Sequence, residues 1–584
     1  MGREGDYTMM HDLNLMVAGP QGSGINFTSD TFAKVMTREG YHVFTNAELF
    51  STIKGDHSYF RVRVCKDMIR SYSERIDILI PLDAKSVILH TKELSEEGVI
   101  ISEENLSDKR HASIPYREIL QVVATKFGKS LAELNVMKNT VALAGASKMI
   151  GLDKEKLKKV ISENFESKPK IAEMNNAVVD EVYAEFTPTH TFDLEPTAYK
   201  KRMFINATHA VGMGKVEAGL KFQSYYPITP ASDESNYLER VMGKYDFIVE
   251  QTEDEIAAIN MAIAAANTGL RSATSTSGPG FSLMVEALSY AGMTETPVVI
   301  FYYQRAGPAT GMPTRHEQGD LRYALSAGHG EFPRVVIAPG DHKEAFYDTI
   351  DAFNIAEKYQ LPVIVLLDKA MAMSNYTVDP FDLSKITINR GKLILSETSD
   401  YLRYRLTDDC VSPRSVPGVK GGLITIAGDE HEEDGHIFTE DADNRVRMMD
   451  KRMHKMKFVH EEVPSDTKVK FYGIPTNKKV IVSWGSVKGP ILDAMDIVKD
   501  VSMLQIRMME PFPVEEVMKF LKGKQIITVE QNYSGQLADL LREKTGLETT
   551  SRIVKFNGRP IAFEEMVEVL SRKELKEREV LTYA

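Results

Sequence analysis

The fold is decided by residues 225–315, which read YYPITPASD at 225–233, EQTEDEIAAINMAIAAANTG at 250–269, TSTSGPGFSLM at 274–284 and FYYQRAGPATGMPTR at 301–315. Short β-branched or aromatic runs alternate with long Ala/Ile/Met patterns of helical period, and Pro, Thr, Ser and Gly fill the joints. That rhythm predicts an α/β unit whose strand-end loops gather polar groups in one crevice. Three residues in those loops can carry chemistry. Glu253 stands at a helix start, Thr229 between two prolines, and Arg305 at a strand end beside Gly307-Pro308. A carboxylate, a hydroxyl and a guanidinium suit an anionic substrate with acid–base work to do. The same residues have plainer explanations. Thr252 with Glu255 spells a capping box, Pro227 and Pro230 can simply shape a turn, and Arg305 can pair with a surface acid.

Outward from this stretch the alternation continues. An apolar strand over 13–18, the turn GPQGSG at 19–24 and a helical pattern to residue 38 open the chain. A strand, a Gly-rich turn and a helix start can present backbone N–H groups to a phosphate, although this glycine spacing is not the dinucleotide fingerprint and also fits a plain tight turn. Further strands are predicted in YHVFTNAEL, RIDILIPLD and GVIIS, and helices over 131–165. FTPTHTFDLEPTAY, residues 186–199, has no period and is expected to be a linker. LPVIVLLD at 361–368 is a clear strand. Residues 376–475 are less regular. Within them His431, Glu432, Glu433, Asp434 and His436 suit either a divalent metal or, more plainly, a solvated loop leading into an exposed helix. From Lys478 the alternation returns in a compact α/β domain of about 110 residues, closed by a polar helix in KELKERE at 573–579.

The 584 residues suffice for three or four domains, each with its own core. A net charge of −12 argues against a nucleic-acid partner. No run approaches the ~18 apolar residues of a membrane span, and the N-terminus lacks a signal-peptide layout, so a cytoplasmic location is expected. The two cysteines, Cys65 and Cys410, are far apart. Two thiols cannot ligate a [4Fe–4S] cluster, so if electrons are moved another polypeptide must hold the iron. No metal site is expected in this chain.

Several motifs together resemble one family. YPITPASD, EQTEDEIAAINMAIAAA, TSGPGFSLM, QRAGPATGMPTRHEQGDL and GHGEFPR look like the α chain of 2-oxoacid:ferredoxin oxidoreductases. GPQGSG and IKGDHSYFRVRV resemble the γ part of the two-chain form, in which γ is fused ahead of α. VSWGSVKGP, VEQNYSGQL and KFNGRPI resemble the C-terminal α part, so the likeness covers nearly the whole chain in the family's order. It implies a multidomain α/β protein: a γ-like domain at 1–185, the linker at 186–199, a thiamine pyrimidine-binding-type parallel-sheet domain at 200–375, an irregular connection at 376–475 and a transketolase-C-like α/β domain at 476–584. One departure is Asn206-Ala207-Thr208, where the family often has Gly-Asn-Glu.

The resemblance also implies a reaction: decarboxylation of a 2-oxoacid on thiamine diphosphate, electrons passed through iron–sulfur clusters to ferredoxin, and the acyl group delivered to coenzyme A. Glu253 is then the carboxylate that hydrogen-bonds the pyrimidine N1′, and Tyr226 and Ile228 line the pocket around that ring. Arg305, Thr229 and Thr314 match the family's contacts to the substrate carboxylate and keto oxygen. Lys54 and His57, in the loop STIKGDHSY at 51–59, can meet a coenzyme A phosphate by analogy. More plainly they are a loop lysine and a hydrogen-bonded histidine, and Asp56, where many members carry glycine, would repel a phosphate. No GDG followed by Asn at the spacing that holds Mg²⁺ and the diphosphate occurs here. The resemblance therefore implies a β subunit that brings the diphosphate site, Mg²⁺ and a [4Fe–4S] cluster, in an αβ or α2β2 assembly. The fused form points to 2-oxoglutarate or a broad range of 2-oxoacids, pyruvate included. Competing expectations are the pyrimidine-binding half of another thiamine enzyme, a 2-oxoacid decarboxylase or dehydrogenase, and a non-catalytic scaffold.

Overall fold

The computed structural model describes residues 12–49, 57–103, 106–437 and 440–582. The chain divides into two units. The first comprises Met1–Ile205, Ser374–Pro380 and Ala562–Val567; the second comprises Asn206–Met373, Phe381–Ile561 and Glu568–Ala584.

The first unit is built on a mixed sheet with strands β1 (Asp12–Pro20), β2 (His42–Glu48), β3 (His57–Cys65), β4 (Ile76–Pro81), β5 (Leu94–Ser102) and β6 (His111–Ser113). Spatially they run β6-β5-β4-β1-β3-β2, and two short strands, β7 (Met203–Ile205) and Tyr376–Val378, extend the β2 edge. β1, β4, β5 and β6 are parallel, whereas β3 runs antiparallel to both β1 and β2. The core on one face joins Leu13, Leu15 and Val17 of β1 to Phe32 of the helix Ile25–Arg38. In GPQGSG the last glycine has a packing reason. Gly24 caps that helix at φ 94°, and a Cβ there would collide with the Asn139 amide, which donates to Ser23 O at 2.7 Å. Of the loop expected at 51–59, residues 57–59 are strand instead. Residues 51–56, with Lys54, lie outside the described residues, and His57 opens β3.

In the second unit the sheet runs Met508–Glu510, β12 (Val335–Ile337), β13 (Val363–Asp368), β11 (Val299–Gln304), β10 (Ser272–Thr276), β8 (Phe222–Tyr225) and β9 (Ile248–Gln251). All of its strands are parallel except Met508–Glu510. The helices Glu255–Asn267 and Gly278–Met293 cover one face through Ala258, Ile259, Phe281 and Met284, all fully buried. A six-stranded sheet completes the unit, with Lys479–Ser483, Val501–Ile506, Gln525–Glu530, Ser551–Val554 and Arg578–Val580 parallel and Val469–Tyr472 antiparallel. KELKERE is not a helix. The last helix ends at Leu570, and Arg578–Val580 pairs with Ser551–Val554, because a sheet edge offers hydrogen bonds that a short exposed helix cannot match.

The mixed-charge segment at 428–436 also departs from expectation. His431 is buried and stacks on Tyr404 at 3.7 Å between ring centres. Glu430 pairs with Arg452 at 2.7 Å and Arg445 at 2.6 Å. The helix that follows, Ala442–Glu462, is not simply exposed: Lys451 and Lys455 are buried against Glu295. Glu430 and His431 are therefore packed structure, while Asp434 and His436 are exposed as a solvated loop would have them, and among the described residues no group of three His, Cys, Asp or Glu is placed to hold a metal.

Candidate active site

Because β8, β9, β10 and β11 are parallel and in register, their carboxyl ends lie along one rim of the sheet. Tyr225 aligns with Gln251 and Ser275, and Thr276 with Tyr302. β8 leads to β9 on one side, and β9 leads to β10 on the other side of β8. The connections thus reverse between β8 and β10, where an open parallel sheet forms a binding crevice.

Each candidate residue occupies one of these rim loops. After β8 the chain turns through Tyr226 to Pro230, with a cis Thr229–Pro230 bond; Ser232 N donates to Ile228 O at 3.0 Å and closes the turn. Tyr226 and Thr229 are exposed and Ile228 is half-buried. After β9, Thr252 docks on the end of the neighbouring strand, its N and Oγ1 donating to Tyr225 O at 2.9 and 3.2 Å. The helix cap is Asp254, which accepts from Ala257 N at 2.8 Å. The capping box expected from Thr252 and Glu255 is therefore replaced, since the threonine hydroxyl is spent on Tyr225 O and Asp254 O. Glu253 immediately precedes the cap with an exposed side chain, and no described residue bonds to its carboxylate.

Arg305 follows β11 and is only 8% exposed. Its Nη1 donates to Thr229 O at 2.9 Å, which ties the loop after β11 to the loop after β8 across the end of β10. Its Nε is buried without an acceptor, and burial lowers the guanidinium pKa from its usual value. No surface acid pairs with it among the described residues. The loop beyond folds back on itself: Ala306 N donates to Arg315 O at 3.1 Å and Met312 N to Ala306 O at 2.9 Å. That closure brings half-buried Thr314 beside the Arg305 end of the loop. Neither the Thr229 nor the Thr314 hydroxyl has a hydrogen bond among the described residues.

Beneath the rim lies a buried network with no counterpart in the sequence-based expectations. Lys215, on the helix Ala207–Glu217, pairs with Glu234 on the helix Ser232–Val241, both 0% exposed. Lys215 also donates to Gln223 Oε1 at 2.6 Å and Ser275 Oγ at 3.0 Å, while Tyr303 OH donates to Glu234 Oε2 at 2.8 Å. These bonds lock β8, β10 and β11 to the helix that begins just after Pro230. A lysine set among small residues in HAVGMGKVEAG was the available signal. Glu255 was read as a cap; instead it is buried, burial raises its pKa, and a Cβ on Gly280 would collide with it.

His57 belongs to the first unit. There it is buried, with its Nε2 2.7 Å from His90 Nε2, and His90 Nδ1 lies 3.1 Å from Glu93.

Comparison with known proteins gives these sites a family. The model for "Pyruvate flavodoxin/ferredoxin oxidoreductase, thiamine diP-bdg" matches residues 213–451, "Pyruvate ferredoxin/flavodoxin oxidoreductase" matches 14–185, and "Pyruvate:ferredoxin oxidoreductase core domain II" matches 477–566. The 2-oxoacid:ferredoxin oxidoreductase subunit alpha of Sulfolobus sp is 40% identical, over 96% of each chain. Subunit alpha of 2-oxoacid:ferredoxin oxidoreductase 1 from Sulfurisphaera tokodaii is also 40% identical, over 96% of this chain and 97% of its own. Among solved structures, a 2-oxoglutarate:ferredoxin oxidoreductase from Magnetococcus marinus, with 2-oxoglutarate, coenzyme A and succinyl-CoA bound, superposes with a TM-score of 0.86 at 30% identity, covering 95% of this chain and 98% of that one. On the strength of full-length likeness in sequence and fold, the chain belongs to the family of 2-oxoacid:ferredoxin oxidoreductase alpha subunits.

Proposed function

We propose that the β8–β11 rim is the pyrimidine-side half of a thiamine diphosphate site, and that it grips the 2-oxoacid whose oxidative decarboxylation is the family's reaction. The observation that carries this reading is the Arg305 guanidinium, buried without an acid partner and tied to Thr229, on the same rim as an unpartnered carboxylate. A buried cation without a counterion is costly in a finished protein, and an arriving carboxylate supplies the missing partner.

The residues fit the aminopyrimidine end of the cofactor. Glu253 offers a carboxylate with no competing partner among the described residues, and Tyr226 and Ile228 stand on the loop that leaves β8 at Tyr225, to which Thr252 is bonded. Thiamine diphosphate, when bound, supplies the carbanion chemistry that breaks the carbon–carboxylate bond. Glu253 holds the proton shared with the ring nitrogen N1′. Arg305 holds the substrate carboxylate through a charge-assisted fork, and Thr229 and Thr314 direct the carboxylate or keto oxygen. Lys54 and His57 are the remaining candidates for coenzyme A; the short bond between His57 and His90 supports the plainer assignment of His57 as a hydrogen-bonded histidine.

This chain is half of a machine. Two cysteines leave the [4Fe–4S] cluster to a β subunit, which also brings Mg²⁺ and the diphosphate anchor; ferredoxin receives the electrons and coenzyme A the acyl group. The domain division we propose within it is 1–185, 200–375 and 476–584, and the location is cytoplasmic. Among the described residues no helix is long and apolar enough to cross a membrane. The substrate is 2-oxoglutarate or a broader set of 2-oxoacids. Co-purification with the β subunit, followed by coenzyme A-dependent dye reduction across a panel of 2-oxoacids, tests the reading. Turnover that needs thiamine diphosphate and collapses in Glu253→Gln is expected; near-wild-type turnover in that variant refutes the assignment.

A further inference from the structure

A second buried cation stands on the same rim. β11 and β13 are parallel neighbours with Gln304 opposite Asp368, so the next residues, Arg305 and Lys369, leave adjacent strand ends. Lys369 is 4% exposed, and no described residue gives its ammonium a hydrogen bond or an ion pair. The carboxylate beside it in sequence is already committed. Asp368 accepts from Met371 N at 3.1 Å with one oxygen, and from Gln318 Nε2 at 3.1 Å and Ser486 N at 3.0 Å with the other. Burial, with the like charge of Arg315, the residue after Thr314, pushes the Lys369 ammonium down to about 8. Ala370 N donates to His316 Nδ1 at 3.2 Å, so the loop that carries Thr314 and Arg315 is fastened to the segment that carries Lys369.

We infer that Lys369 is a specificity-determining residue: it receives the second, distal carboxylate of a dicarboxylic 2-oxoacid whose head group is held by Arg305. The inference rests on the substrate reading given above. Two cations on neighbouring strand ends, with the acid that precedes Lys369 otherwise engaged, match a ligand with an anion at each end. A monocarboxylic 2-oxoacid fills only the Arg305 end and leaves the ammonium uncompensated. Burial favours a small carboxylate over a bulky phosphate group.

The test uses the enzyme purified with its β subunit and compares Lys369→Met, Lys369→Arg and Arg305→Lys. Removing an unpaired buried ammonium costs the fold nothing, so Lys369→Met is expected to melt at or above the wild-type temperature. Its KM for 2-oxoglutarate is expected to rise about ten- to a hundred-fold more than its KM for pyruvate, the loss of one charge-assisted bond. Lys369→Arg should restore most of that ratio. Equal effects on both substrates, or none, overturn the inference. So does a KM for coenzyme A that rises while the substrate ratio holds, which would assign the lysine to a phosphate. Arg305→Lys keeps the two claims apart. If it impairs every 2-oxoacid while Lys369→Met discriminates none, the substrate reading stands and this inference fails. If Arg305→Lys impairs none, the substrate reading itself fails.

Discussion

Lys215, on a helix under the parallel sheet, and Arg305, just past the end of β11, are both buried cations, yet their surroundings are opposite. Lys215 is surrounded by Glu234, Gln223 and Ser275, and its ammonium also lies 3.8 Å from the centre of the Phe301 ring. Arg305 has one carbonyl, from Thr229, and a buried Nε with nothing to donate to. A fully satisfied buried pair holds elements in register, whereas an unsatisfied one at a loop rim is paired only when something else arrives. The difference separates scaffold from site: the network under β8, β10 and β11 fixes the loops, and the loops keep their polar groups free for a ligand.

The sharpest way to break this division is Glu253→Gln. As an unpartnered rim carboxylate it should be replaceable without cost to the fold, and turnover should fall roughly 10²- to 10⁴-fold, the usual worth of positioned proton transfer. A melting temperature that falls along with activity would move Glu253 to the scaffold side. Lys215→Met tests the other side. It strands Glu234 in the interior, so thermal and denaturant unfolding should show a loss of about 3–5 kcal/mol, which Lys215→Met with Glu234→Gln should largely recover. An unchanged unfolding midpoint would show that the network fixes nothing.

Arg305→Lys sharpens the contrast on the ligand side. Lysine keeps the charge but loses the fork, so apparent affinity for the 2-oxoacid should drop about ten-fold or more while stability holds, read from KM and a thermal melt. The smallest expected effect concerns pH and the first unit. Burial, with Arg202 nearby, pushes His42 down to about 4 in the folded chain, against an ordinary value of 6.5. Between those values the unfolded chain takes up a proton that the folded one refuses, so the stability is complete above pH 6.5 and declines as pH falls toward 4. Acid titration of the melting temperature should show this decline, and His42→Gln should flatten it.

Much of the site was legible because its local chemistry is local in sequence. YYPITPASD and QRAGPATGMPTR announce their turns through proline and glycine, and the helix after Glu253 is plain from its alanines and isoleucines. The cap was misread because Thr252 and Asp254 are both good caps two residues apart. Which one caps depends on whether Tyr225 O, a residue on another strand, claims the threonine hydroxyl. The segment around His431 was misread for a similar reason. Glu430 looks solvated like its exposed neighbours Asp434 and His436 until Arg445 and Arg452, one and three turns into the next helix, fold back onto it.

The sequence by itself determined the α/β rhythm, the placing of Glu253, Thr229, Arg305 and Thr314 in rim loops, and the family, because period, turn residues and motif are written along the chain. Only the tertiary structure decided that Lys215 meets Glu234, that Arg305 reaches Thr229 across β10, and that Lys369 emerges beside Arg305. Each of those pairings depends on strand order and register, and partners brought together by parallel crossovers leave no mark in the spacing of the residues themselves.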